Sequence, residues 1–91
     1  MNRQQLVHSM AERSGLTKKE CQACLKAMEF SITKALHEGE KVYLPKLGVF
    51  EVRHHLAKTG RNPTTGETIE IPFRTLPAFR ANDSFKAAIQ N

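Results

Sequence analysis

A few groups of residues in this chain have types and spacing that could do chemistry. Cys21-Gln22-Ala23-Cys24 has the spacing of a redox or metal-binding pair. A thioredoxin-like site would follow a strand and open a helix. These cysteines instead fall inside a helical pattern on its apolar face, and they read as small buried residues. His8, His37, His54 and His55 lack the spacing that would complete a structural zinc site, and His54 and His55, as strand neighbours, point to opposite faces. Gly60 to Gly66 has the outline of a P-loop, but the spacing is wrong and Glu67 stands where Lys is required. The sequence offers no nucleophile–base pair and no metal cage, so it argues for a non-enzyme without cofactor.

The remaining group is cationic. Arg53-His54-His55-Leu56-Ala57-Lys58-Thr59-Gly60-Arg61 contains no acid, and Asn62-Pro63 follows it. On an exposed ribbon such a segment suits phosphates by charge and a groove by shape. Arg61 can enter a minor groove, whose potential attracts guanidinium, and Asn62 offers donor and acceptor to A·T edges. Pro63 is a rigid, donor-free wedge that can press between base steps. A solvated basic loop with an ordinary Asn-Pro turn explains the same residues, and the residues alone leave both readings open.

The elements that must position this segment read as α+β. Asn2 with Gln5 resembles a capping box, Leu6, Val7, Met10 and Ala11 share one helical face, and Gly15 is a natural stop. Thr17-Lys18-Lys19-Glu20 is a full capping box, with Leu16 and Cys21 placed as a hydrophobic staple. Cys21, Cys24, Leu25, Met28, Ile32, Ala35 and Leu36 then recur at steps of three and four until Gly39, while Phe30 lies off the stripe. Val42 and Leu44 begin a period of two, Pro45-Lys46-Leu47-Gly48 reads as a turn, and Val49–Arg53 as a strand with Phe50 and Val52 on one face. After the Pro63-Thr64-Thr65-Gly66 turn, Ile69, Ile71 and Phe73 alternate, Leu76–Phe79 reads as a last short strand, and Asn82 or Asp83 caps a final helix. The chain thus divides into a helical base (1–39), a sheet with an arm at about 53–74 (40–81) and a C-terminal helix (82–91).

With 91 residues, one domain is the limit. Apolar residues at 40% exclude wholesale disorder, and a mean hydropathy of −0.46 without a long apolar run excludes a membrane span. Met1–Gln5 lacks a secretory apolar stretch, so the expected location is the cytoplasm. Fourteen Lys and Arg against nine Asp and Glu give a net charge of +5, which points first toward nucleic acid. The arm holds too few apolar side chains to fold onto a core. With legs of roughly ten residues it would project about 30 Å, and alone in water such a ribbon is marginal. Roughly 70 residues remain for a core, a size that usually needs reinforcement. The stripe through Met28 and Ile32 and the aromatic strand faces suggest that a second copy supplies it.

Gly60-Arg61-Asn62-Pro63-Thr64-Thr65-Gly66-Glu67 resembles the arm signature of the bacterial HU/IHF family of DNA-bending proteins. The resemblance extends over essentially the whole chain, through Ser14–Lys19, Gly48 with Phe50-Glu51-Val52, and Pro77-Ala78-Phe79-Arg80-Ala81. It implies an intertwined homodimer with a helical base and two β-ribbon arms that embrace double-stranded DNA through the minor groove. Pro63 would intercalate, Arg61 and Asn62 would sit in the groove, and Arg53, His55, Lys58 and Arg74 would line the arm toward phosphates. Arg3, Lys18, Lys46, Arg80 and Lys86 would meet flanking DNA from the body. Phe50, Phe79 and Leu47, with Met28 and Ile32, would form the dimer core.

Three departures from the family pattern carry expectations. His55 replaces a usual Arg, which makes that contact weaker and pH-dependent. Leu47 and Lys46 replace a frequent Phe and Gly. Asn82-Asp83 replaces a common Gly-Lys, and Asp83 beside a helix N-terminus repels phosphate. The implied function is a histone-like nucleoid protein that bends and compacts DNA with low sequence specificity. The alternatives are a sequence-selective integration-host-factor-like subunit, paired with a paralogue in a heterodimer, and an interaction module for protein or RNA.

Overall fold

The computed structural model describes residues 1–90. The elements follow the expected order: α1 (Arg3–Ser14), α2 (Lys18–His37), β1 (Val42–Leu44), β2 (Gly48–His55), β3 (Lys58–Arg61), β4 (Thr68–Ile71), β5 (Arg74–Ala81) and α3 (Asp83–Ile89). Contacts divide the chain into two compact units, Met1–Lys34 and Ala35 onward.

In the first unit, both capping boxes form. The Asn2 side chain accepts the Gln5 N–H at 2.9 Å while Gln5 Oε1 accepts the Asn2 N–H at 2.7 Å. Thr17 and Glu20 exchange the same pair of bonds at 3.0 and 3.1 Å. Each box satisfies two N–H groups that a helix start leaves orphaned. Val7 and Cys21 are buried, and the Cys21 sulfur lies 3.7 Å from Ser14 Oγ. Cys24 corrects the sequence reading: it is exposed, because one turn beyond Cys21 the apolar stripe is uncovered, as Met28 also is.

The second unit begins with the end of α2. Gly39 donates to Leu36 O and Glu40 to Ala35 O, the paired bonds of a Schellman stop. The sheet that follows has strand order β1-β2-β5, all antiparallel. Opposed residues share a face and neighbours alternate, so the register sorts the side chains. Val42, Leu44, Phe50, Val52, Pro77 and Phe79 fall on one face, and Tyr43, Val49, Glu51, Arg53 and Arg80 on the other. On the apolar face Phe50 pairs with Phe79 with ring centroids 4.8 Å apart, and Phe79 meets the edge of Phe85 from α3 at 6.4 Å. Such aromatic pairs contribute about 0.5–1.5 kcal/mol beyond burial.

The last strand is longer than expected. It runs from Arg74 to Ala81, because β2 extends to His55 and offers a partner for each added residue. Pro77 is tolerated because β5 lies at the sheet edge.

Asn82 ties the sheet to α3. Its N–H donates to Leu47 O at 2.9 Å, its amide nitrogen to Pro45 O at 2.5 Å, and its Oδ1 accepts the Phe85 N–H at 2.9 Å. Of the two expected caps, Asn82 is the N-cap and Asp83 the first helical residue. At the same end of the β2–β5 pair, Gly48 is buried opposite Ala81, and a Cβ there would lie 2.2 Å from the Arg80 carbonyl oxygen.

Two substitutions follow. Gly48→Ala must push β2 from β5, and overpacking of about 1–3 kcal/mol should lower Tm by about 5–15 °C in a thermal melt. Asn82→Ala should lower Tm by about 5–10 °C through loss of the cap and the turn contact, whereas Asp83→Ala should change it by about 3 °C or less.

Candidate nucleic-acid interface

The basic segment leaves the sheet on β2 and returns on β5. His55 pairs with Arg74 at the end of one ladder, and Lys58 pairs with Ile71 at the start of the next. The register therefore continues from sheet to ribbon without a slip. Leu56-Ala57 and Pro72-Phe73, which face each other across the gap, are outside any strand. The sequence reading took each leg as roughly ten residues of strand and placed no break in it. Pro72 explains part of the interruption, since it has no N–H to give a ladder. Beside the gap the His54 ring stacks on Phe73 (5.8 Å between centroids, 17° between planes), with Nδ1 3.3 Å from Thr75 Oγ1.

The tip holds itself together. Asn62 N–H donates to Glu67 O at 2.8 Å, and Gly66 N–H donates to Asn62 O at 2.7 Å. Gly66 sits at φ 75°, the left-handed conformation that closes the turn at low cost only for glycine. Asn62 Oδ1 accepts the Thr64 N–H at 2.9 Å, and Thr65 Oγ1 accepts the Glu67 N–H at 3.3 Å. Asn62 was expected to offer both donor and acceptor outward, but its oxygen is engaged in shaping the turn around Pro63. In β3, Lys58 lies on one face and Arg61 on the other, and Arg61 opposes Thr68. The outgoing leg is cationic, while the return leg carries Glu67 and Glu70, with Glu70 opposite Thr59.

The other candidates are distributed. Arg53 and Arg80 come together on the charged face of the sheet around Glu51, at 3.8 and 3.9 Å from its Oε1. Lys41, which the sequence reading did not single out, joins them at 3.8 Å from Oε2. The signal was available: continuing the β1–β2 register by one residue sets Lys41 opposite Glu51. His55 and Arg74 are cross-strand partners on this same face. Lys46 lies in the β1–β2 turn and Lys86 on α3, both exposed. In the first unit Lys18 opens α2, and Arg3 donates to Glu29 Oε1 at 2.5 Å. Of the residues expected in a dimer core, Phe50 and Ile32 are half-buried in this single chain, while Leu47, Met28 and Phe79 are exposed by 40–45%.

Among the described residues no three His, Cys, Asp or Glu side chains could hold a metal ion, and no helix is long and apolar enough to cross a membrane.

The architecture is shared with known proteins. A family described as bacterial DNA-binding protein matches residues 1–90. DNA-binding protein HU of Clostridium pasteurianum is 50% identical over 86 residues, covering 94% of each chain. DNA-binding protein HU of Geobacillus stearothermophilus is 46% identical over 90 residues, covering 99% of this chain and all of that one. Among solved structures, an Anabaena HU–DNA cocrystal superimposes with a TM-score of 0.86 at 42% identity, covering 98% of this chain and 97% of that one.

The Arg3–Glu29 pair makes a pH prediction. The hydrogen bond from Arg3 holds the Glu29 carboxyl below its ordinary value of 4.5, and the bond from the Thr17 backbone does the same for Glu20. A depressed carboxyl stabilises the fold above its ordinary range, and that contribution is lost as pH falls through the depressed value. In a carboxyl NMR titration both groups should therefore titrate below 4.5, and Arg3→Met should return Glu29, but not Glu20, toward it. An ordinary midpoint for Glu29 in the parent would mean that the pair does not persist in solution.

Proposed function

Because this chain belongs to the bacterial DNA-binding protein family, the HU family, we propose that it acts on the chromosome as an architectural protein. It is a histone-like protein that binds double-stranded DNA, and its family is one of DNA binders rather than enzymes. The observation that carries the finer reading is the self-closed tip Arg61-Asn62-Pro63, set at the end of a cationic strand. Two copies pair through the apolar sheet face and the α2 stripe, where Phe79, Met28 and Leu47 are left open in one chain. Each copy extends one ribbon along the minor groove. Pro63 enters a base step, unstacks it and kinks the duplex, while Arg61 lies in the narrowed groove. Asn62 keeps the wedge aimed and presents its amide nitrogen to base edges. Arg53, His55, Lys58 and Arg74 follow the phosphates along the arm. Arg3, Lys18, Lys46, Arg80 and Lys86 meet them on the body, with Arg3 exchanging its bond to Glu29 for a phosphate. The protein works in the nucleoid.

Affinity on this reading comes from released counterions, and selectivity from how easily a sequence bends. The names of the similar relatives favour this over a sequence-selective host factor. Fluorescence anisotropy on a random duplex of roughly 30 base pairs tests the reading. If about six to ten phosphates are neutralised, affinity should fall about 10³–10⁵-fold between roughly 50 and 200 mM salt. Pro63→Ala should abolish most of the bend, read by energy transfer between labelled duplex ends, with affinity changed by about threefold or less. Arg61→Ala should weaken binding about tenfold. A parent protein that ignores duplexes at low salt would overturn the proposal, and discrimination above about 10³ for one defined site would replace it with the host-factor reading.

A further inference from the structure

The charged face of the sheet contains an acid where a DNA-binding surface would be expected to exclude one. Glu51 is 13% exposed at its side chain, yet it lies within 4 Å of Lys41, Arg53 and Arg80, which are each more than half exposed. Arg53 and Arg80 converge on the same oxygen, Oε1, and Lys41 on Oε2. The three separations are 3.8–3.9 Å, beyond the 2.7–3.2 Å of an N–H···O bond. The carboxylate thus draws the cations together without consuming their donors.

The strand register explains how this arises. Glu51 pairs with Ala78 across the ladder, and Lys41, the residue before β1, falls opposite Glu51 when the β1–β2 register is continued by one residue. Arg53 is two residues along β2, and Arg80 opposes Val49, two residues back. Arg80 comes from the body side of the sheet and Arg53 from the strand that continues into the arm. Ala78, opposite Glu51, has no long side chain to compete for the space around the carboxylate.

We propose that Glu51 is a positioning residue for DNA, gathering Arg53 and Arg80 into one phosphate-binding pair where the arm meets the body. This rests on the DNA-binding reading above. The four groups together keep a net charge of +2, and the mostly covered carboxylate presents little of its own charge to an approaching phosphate. Without it, three neighbouring cations repel one another and their long side chains spread over many rotamers. Glu51 therefore increases affinity although its charge has the wrong sign.

That sign separates the proposal from simple charge counting. Glu51→Gln keeps the shape and adds one unit of positive charge. In the full-length protein, with anisotropy on the same duplex, it should weaken binding about threefold to tenfold. The loss should disappear in a background of Arg53→Ala with Arg80→Ala. Glu51→Asp, which restores the charge on a shorter stem, should recover part of the loss, and it serves as the test variant if a thermal melt shows Glu51→Gln unfolded; in that case it should bind more weakly than the parent and more tightly than Arg53→Ala with Arg80→Ala. Unchanged or tighter binding by whichever variant folds overturns the proposal. So does a loss that persists undiminished in the double-arginine background. In either case a parent that still binds the duplex leaves the DNA-binding reading standing, whereas a parent that does not bind removes both.

Discussion

The pairing of β2 with β5 is the constraint on which the second unit depends. It runs over eight residues on each strand, and because side chains alternate, its register decides which residues see which. A slip of β2 by one residue would carry Phe50 to the charged face, away from Phe79, and Glu51 to the apolar one. Gly48 helps to fix the register at one end, since only a residue without a Cβ can pass the Arg80 carbonyl so closely. Asn82 fixes it at the same end by tying the strand's exit to the β1–β2 turn. At the other end the register passes through the gap unchanged and sets Arg61 opposite Thr68 near the tip.

This register also separates two kinds of surface that answer different needs. The apolar face and the stripe on α2 hold more hydrophobic surface than one chain covers, and burying such area stabilises association by about 25 cal/mol per Å². The opposite face and the outgoing strand hold cations that are themselves exposed, even where Lys41, Arg53 and Arg80 meet the mostly covered Glu51 carboxylate. Exposed pairs contribute little to folding, typically 0–1 kcal/mol. The excess positive charge is therefore better understood through a polyanion whose counterions it can replace. Glu67, just before β4, and Glu70 within it leave the half of the ribbon nearest the tip cationic mainly on its outgoing leg, Lys58 to Arg61.

Much of the fold was legible in the sequence where the deciding forces are local. Asn2 with Gln5, Thr17 with Glu20 and Gly39 act within a few residues, so their caps could be read directly. The tip motif was legible for the same reason, and Phe50 and Phe79 stood out by alternation. What the sequence concealed depends on pairing between distant segments. The extension of β5 to Arg74 required knowing that β2 reaches His55. The meeting of Lys41, Glu51, Arg53 and Arg80 joins β2, β5 and the residue before β1, and reading it requires the register of those segments. Cys24 was misplaced because helical periodicity marks a face as apolar without saying what covers it. That Asn62 can donate and accept was legible from its residue type, whereas the bond its oxygen accepts from Thr64 became visible only with the geometry of the turn.

That internal bond at Asn62 bears on how a small basic protein could deform a duplex. Kinking costs the DNA a few kcal/mol per unstacked step, and a loose loop would add the cost of ordering its own backbone. Here the bonds from Thr64 and Gly66 to Asn62, and from Glu67 to Thr65, fix the turn before any partner arrives. The interruption at Leu56-Ala57 and Pro72-Phe73 lies farther back, where the ladder gives up its pairing beside the His54–Phe73 stack. On the reading proposed above, the turn bonds are concentrated where Pro63 would enter a base step, and the ladder is interrupted where the ribbon would adjust its direction to the groove. A continuous ladder would have made that adjustment costly, and an unstructured tip would have blunted the wedge.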